Sequence, residues 1–118
     1  MPLSFISGIA TYSLTDIADG TTAISAKTAW NLRRKISGLS ATDGQITASF
    51  LGGNVLLGGD LATAGYPGGD NAINALDYSA LRGAWGASAV GDINGDGNTD
   101  NTDYLMMKAN WYKTGNAQ

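Results

Sequence analysis

Oxygen-bearing side chains recur at fixed steps through Asp92, Asn94, Asp96, Asp100 and Asp103, with a glycine at Gly97. Counted from Asp92, they fill positions 1, 3, 5, 9 and 12 of a twelve-residue loop, and the glycine falls at position 6. The chemistry such a set performs is the wrapping of one hard cation. Calcium takes about six to eight oxygens at about 2.3–2.6 Å, and a loop of this length supplies them if it turns sharply at position 6. Gly97 allows that turn because it has no Cβ to forbid positive φ. Asn98, at position 7, offers its backbone carbonyl, and Asp100 binds directly or through a water. A lone Asp-Gly or Asn-Gly pair reads as a solvated turn. Five ligand positions filled in register read as a calcium loop.

The loop belongs to an internal repeat with an offset of 26 residues: Gly69-Asp70 matches Gly95-Asp96, Asn74 matches Asp100, Asp77-Tyr78 matches Asp103-Tyr104, Arg82 matches Lys108 and Trp85 matches Trp111. Each copy of a repeat is one structural unit. In the first copy Asp77 is position 12, Asn74 position 9, Ala72 position 7 through its carbonyl, Asn71 position 6 and Asp70 position 5. Asn is the best substitute for glycine where positive φ is needed. The natural position 1 is Asp60, although nine residues separate it from Asp70 where three are normal. Looping that insertion outward costs little entropy and leaves both aspartates free to meet one ion.

A helical stretch comes after each loop. Tyr78, Leu81 and Trp85 recur at i, i+3 and i+7, as do Tyr104, Met107 and Trp111, so each helix carries one apolar stripe and the two stripes can bury each other. These aromatics read as core. The last aspartate of each loop is expected to open its helix, where a carboxylate is favoured by free amides and the macrodipole.

Composition narrows the function classes. The chain has no Cys, no His and no Glu, and all ten acidic residues are Asp. Disulfides, thiolate zinc sites, cysteine nucleophiles and a Ser-His-Asp triad are therefore excluded. Residues 59–118 hold seven of the ten aspartates against Arg82, Lys108 and Lys113, a net charge of −4 that two calcium ions would neutralise. Nucleic acid is not an expected partner, because phosphate binding rests on clustered Lys and Arg. The Arg33-Arg34-Lys35 run lies within an apolar/polar alternation and reads as a solvated strand face. No apolar run is long enough to span a membrane. The start, Met1-Pro2-Leu3, lacks the basic and apolar regions of a signal peptide, so a piece of a longer secreted protein is expected.

Residues 1–58 are rich in Thr, Ser, Ile, Gly and Ala, with period-2 alternation at Trp30, Leu32, Arg34 and Ile36 and again at Ile46, Ala48 and Phe50. The pattern predicts short strands over 3–7, 9–14, 21–27, 30–37 and 45–51, with 54–57 as a short extra. Turns are expected at Asp19-Gly20, Ser37-Gly38, Asp43-Gly44 and Gly52-Gly53-Asn54. The expected class is α+β: a small sandwich-like β-module over 1–58, then a pair of calcium loop-helix units over 59–118. A β-module this small buries little surface and is expected to lean on the repeat pair C-terminal to it.

Two EF-hand-type loops, each leading into one helix, without an entering helix and ending in Asp rather than Glu, resemble a dockerin. The resemblance covers residues 59–113 and rests on Gly91-Asp92-Ile93-Asn94-Gly95-Asp96-Gly97 with Asp100 and Asp103, on Asp70, Asn74 and Asp77, and on the paired Asp-Tyr and Trp positions. It is similar to the C-terminal modules of large secreted bacterial enzymes, which a β-module often precedes. What the resemblance implies is two bound calcium ions, a cohesin as the partner, a secreted or cell-surface location and a monomer when isolated. Cohesin contacts are implied at Asn101, Thr102, Lys108, Ala109 and Lys113 in the second repeat, and at Ala75, Leu76, Arg82, Gly83 and Ala87 in the first. Only Arg82 and Lys108 are alike between the sets. Two other readings stand beside docking: a calcium-stapled structural closure without a cohesin partner, and a carbohydrate-binding β-module using Trp30 or Tyr66. Catalysis is not expected, since the aspartates are assigned as ligands and a closed oxygen cage leaves no open coordination position.

Overall fold

The computed structural model describes residues 6, 12, 14–87 and 90–118. Strands β1 (Ala23–Ala26) and β2 (Arg34–Ser37) form one antiparallel pair, a 3₁₀ turn spans Gly52–Asn54, and helices α1 (Ala75–Gly83) and α2 (Asn101–Ala109) come after it. Ile24 faces Ile36 across the pair and Ala26 faces Arg34 on the same side, while Ser25 and Lys35 lie on the other. The predicted strands over 21–27 and 30–37 are thus present in shortened form.

The other β expectations fare differently. The strands expected over 3–7 and 9–14 lie largely outside the described residues. Residues 45–51 and 54–57 are not strands. Asp43 and Gly44 do turn, both with positive φ (53° and 72°), and Thr42 and Gln45 exchange backbone hydrogen bonds of 2.8 and 3.0 Å. That ladder stops after one rung, and period-2 alternation without a paired neighbour leaves backbone groups for water rather than a sheet. At 54–57 the expected strand is replaced by isolated bonds, from Leu32 N–H to the Leu57 carbonyl (2.9 Å) and from Asn31 Nδ2 to the Leu56 carbonyl (3.2 Å).

Each helix begins with a reciprocal cap. Asn74 and Asp100 are the N-cap residues, and Asp77 and Asp103 sit at N3, accepting from the N-cap amide. The last loop aspartate therefore does not open its helix; position 9 of each loop does. The capping box satisfies two otherwise unpaired amides at each end.

Leu32, Leu61, Ile73, Leu81 and Met107 form the buried core, with Leu57, Tyr78, Ile93, Tyr104 and Trp111 packed around it. The Tyr78 and Tyr104 rings lie 5.8 Å apart, and the Trp111 ring meets Tyr78 edge-on at 6.4 Å. Trp85 departs from the expected stripe: it is 51% exposed. The reason is that α1 ends at Gly83 and Gly86 (φ 81°) turns the chain away toward the second loop, where its N–H donates to the Thr99 carbonyl at 2.8 Å. Trp30 likewise lies outside the core at 40% exposure, because its backbone carbonyl is tied to Gly59 N–H (2.8 Å) while Leu32 points inward.

The C-terminal segment runs antiparallel to the first loop. Tyr112 N–H donates to the Ile73 carbonyl (3.0 Å), Ile73 N–H to the Lys113 carbonyl (2.9 Å) and Gly115 N–H to the Asn71 carbonyl (2.9 Å). It then reaches β2, where Asn116 N–H donates to the Arg33 carbonyl (2.8 Å) and Lys35 N–H donates to the Asn116 side chain (2.9 Å). Asn71 is the junction. With φ at 66°, its Oδ1 accepts from Arg33 N–H (2.7 Å) and its Nδ2 donates to the Asn116 carbonyl (3.0 Å). Asn71→Gly keeps the backbone geometry and loses both side-chain bonds, an expected cost of about 2 kcal/mol. Asn71→Ala adds about 1 kcal/mol more for a left-handed alanine. Urea unfolding of the two variants separates these contributions.

Candidate functional site

The first loop closes around three carboxylates. Asp60, Asp70 and Asp77 each offer an oxygen, and these lie within 4.8 Å of one another. Among the described residues they are the only acidic group so arranged. Asp60 and Asp77 are fully buried, which an acid tolerates only if its charge is matched by hydrogen bonds or a cation. Backbone amides supply part of the match: Asn71 N–H points at both Asp60 oxygens (3.1 and 3.2 Å), and Asp77 accepts from Leu61 (2.7 Å) and Asn74 (2.8 Å). Asp70 accepts from Ala72 N–H at 3.0 Å, and Asn74 Nδ2 approaches it at 3.5 Å. Buried hard-oxygen donors converging in this way fit calcium.

The insertion between Asp60 and Asp70 folds outward as a small turn of its own, with Thr63 and Tyr66 exchanging backbone bonds of 3.0 Å and residues 64–68 exposed. Asp60 consequently stands where position 1 should be. The second loop shows the same hydrogen bonds at equivalent places. Asp92 accepts from Gly97 N–H (3.0 Å) as Asp60 does from Asn71. Asp103 accepts from Ile93 (2.7 Å) and Asp100 (2.9 Å) as Asp77 does from Leu61 and Asn74. Asp96 accepts from Asn98 (3.0 Å) as Asp70 does from Ala72, and Asp100 from Thr102 (2.7 Å) as Asn74 does from Leu76. Register is thus common to both loops despite the insertion.

The loops differ in how tightly their acids gather. In the second, Asp92 also accepts from Gly95 (2.8 Å) and Asp96 (3.0 Å), while Asn94 accepts from Asp96 N–H (3.0 Å) and donates to its carboxylate (2.8 Å). These bonds fold the loop on itself, with Asp103 buried at its base and residues 94–98 exposed. Gly91 must be glycine for a separate reason: the Thr99 side chain packs on its α-carbon where a Cβ would sit.

Electrostatics mark Asp77. Burial pushes its carboxyl above the ordinary value of 3.8, and the like charges of Asp60 and Asp70 add to the rise, against the opposing pull of the Asn74 and Leu61 amides. The calcium-free fold therefore binds a proton that the unfolded chain has already lost. Its stability rises as pH falls from neutral through the raised value, and that gain is complete by about 3.8. Calcium, which needs the ionised form, is held less well over the same window. Melting in chelator at pH 7 and pH 5 checks the sign, and Asp77→Asn is expected to flatten the difference.

The chain resembles a C-terminal interface mutant of a type II cohesin–X–dockerin complex from Acetivibrio cellulolyticus, with a TM-score of 0.61 and 25% identity over 85% of this chain and 67% of that one. The fold is that of a dockerin. An N-terminal interface mutant of the same kind of complex gives a TM-score of 0.59 at 24% identity, with the same coverage. No family model and no curated protein matches the chain. The likeness extends past the dockerin-like loop-helix pair, because 85% of the chain includes much of the β-part as well.

All ten positions implied as partner contacts in the dockerin-like unit are exposed: Ala75, Leu76, Arg82, Gly83 and Ala87 about the first helix, and Asn101, Thr102, Lys108, Ala109 and Lys113 about the second. Spacing placed Asn71 at position 6 but did not foresee its tie to β2, and it missed two other residues that shape the first loop: Lys27 pairs with Asp60, and Asn116 closes the Asn71 tie from the C-terminus.

Proposed function

We propose that this chain is a non-catalytic module that docks, in a calcium-dependent way, onto a cohesin-like partner and so anchors a larger secreted or cell-surface protein. The observation that carries the reading is a likeness to a cohesin-bound X–dockerin pair that spans both the β-part and the repeat pair. Two calcium ions are proposed, one in each loop. Asp60, Asp70, Asp77, Asn74 and the Ala72 carbonyl hold the first; Asp92, Asn94, Asp96, Asp100, Asp103 and the Asn98 carbonyl hold the second. The ions fix the loops, the loops fix the helix starts, and the exposed helix faces meet the partner.

Residues 1–58 and 59–118 are proposed to act together. Leu32 shares the core with Leu61, Ile73, Leu81 and Met107, and Asn71 and Asn116 bond across the join. The absence of His, Cys and Glu supports a role without catalysis.

The test is binding of a purified type II cohesin to the immobilised chain in millimolar calcium, and then a wash with chelator. Retention with release on chelation is expected, and Leu76→Asp or Thr102→Asp should weaken retention on the face that makes the contact. A folded, calcium-bound chain that retains no cohesin would overturn the docking reading.

A further inference from the structure

The ammonium of Lys27 is a feature of the first loop that its ligand pattern does not explain. Lys27 comes directly after β1, and its Nζ forms an ion pair with Asp60 Oδ2 and donates to the Asn31 carbonyl at 2.9 Å. The lysine side chain is 15% exposed and Asp60 is fully buried, so the pair is largely shielded from water. A single positive charge from the β-part thus holds an oxygen of the position-1 ligand of the first loop. The second loop has no counterpart: Asp92 is engaged by backbone amides alone among the described residues.

We propose that Lys27 is a built-in competitor of calcium at the first loop, and that filling this loop exchanges the Lys27–Asp60 pair for a calcium–Asp60 contact. This rests on the calcium reading of the first loop. The physical case has two parts. An ammonium bound to Asp60 occupies an oxygen that the ion needs, and a positive charge left within a few ångströms of a dication repels it in surroundings that screen poorly. Both make the first loop the weaker site, although its carboxylates are the more tightly gathered. Coupling is reciprocal: whatever Lys27 takes from calcium affinity, calcium takes from the tie between β1 and Asp60. The first loop then reports calcium to the β-part, while the second builds the fold.

A calcium titration monitored by backbone amide NMR reads the loops separately, with Asn71 and Ala72 reporting the first and Gly97 and Asn98 the second. In the native chain the second-loop amides complete their shifts at lower calcium. Lys27→Met, which keeps the aliphatic stem and removes the charge, is expected to bring the first-loop midpoint down about tenfold or more and leave the second unchanged. Lys27→Gln provides the same comparison with a polar head. A first-loop midpoint that stays put or rises in these variants overturns the competition. If no amide of either loop shifts, the calcium reading itself fails and the proposal falls with it.

A second measurement needs no variant. Acylation of lysines by an amine-reactive ester, read by mass spectrometry, is compared at the calcium level that saturates only the second loop and at full saturation. Lys27 is expected to react more slowly than the exposed Lys35 at the first level and to gain at least several-fold at the second. Equal Lys27 reactivity at both levels overturns the exchange.

Discussion

Asp103→Ala is expected to lower the melting temperature by about 15 °C in excess calcium, whereas Asp43→Ala should leave it within a few degrees. Asp103 is fully buried and accepts from the amides of Ile93 (2.7 Å), Asn94 (3.1 Å) and Asp100 (2.9 Å). Alanine leaves those donors facing a void and removes the N3 half of the capping box. Hydrogen bonds to a charged group contribute about 1.5–3 kcal/mol each, and losses within one network are not additive, so a total near 4 kcal/mol is reasonable. For a domain of this size about 4 °C accompanies each kcal/mol. Asp43 is exposed in a surface turn and touches none of this. Thermal unfolding by far-ultraviolet circular dichroism compares the two; equal melting temperatures would remove Asp103 from the centre of the second unit. Asp77→Asn adds a contrast of sign. In calcium it costs a ligand, while in chelator it relieves the repulsion among Asp60, Asp70 and Asp77, so its penalty should shrink when calcium is removed.

Chelation has the second large effect. A ligand at a hundred times its dissociation constant stabilises the folded form by about 2.7 kcal/mol per site, so the two proposed ions would supply about 5 kcal/mol. Natural domains hold about 5–15 kcal/mol in all. Among the described residues five buried apolar side chains make a small core, and no disulfide supports it. The melting temperature should therefore fall by about 20 °C in chelator, with the helical and near-ultraviolet aromatic signals lost together because Tyr78, Tyr104 and Trp111 pack between the helices. Restored calcium should return both. A chain whose melting ignores chelator would show that backbone amides and Lys27 match the loop aspartates without calcium.

Spacing along the chain determined the turns, caps and oxygen donors of the loops. Oxygen-bearing side chains at positions 1, 3, 5, 9 and 12, glycine at 6, and the offset of 26 residues are local facts, and local facts fix turns, caps and helix starts. The same spacing nominated Asp60 across its insertion and Asn71 at positive φ, and the paired hydrogen bonds of the two loops place both there. Tertiary structure decided what depends on distant partners. Trp85 and Trp111 hold equivalent repeat positions, yet one is exposed and the other packs on Tyr78, because the chain after α1 leaves for the second loop while the chain after α2 folds back on the first. The alternation over 45–51 formed no strand, since a strand needs a neighbour and the pattern does not supply one. Lys27 meets Asp60 across 33 residues of sequence, and Lys35 meets Asn116 across 81. No periodicity reaches that far; such contacts exist only once the helices have buried Leu81 and Met107 and brought the β-part against the first loop.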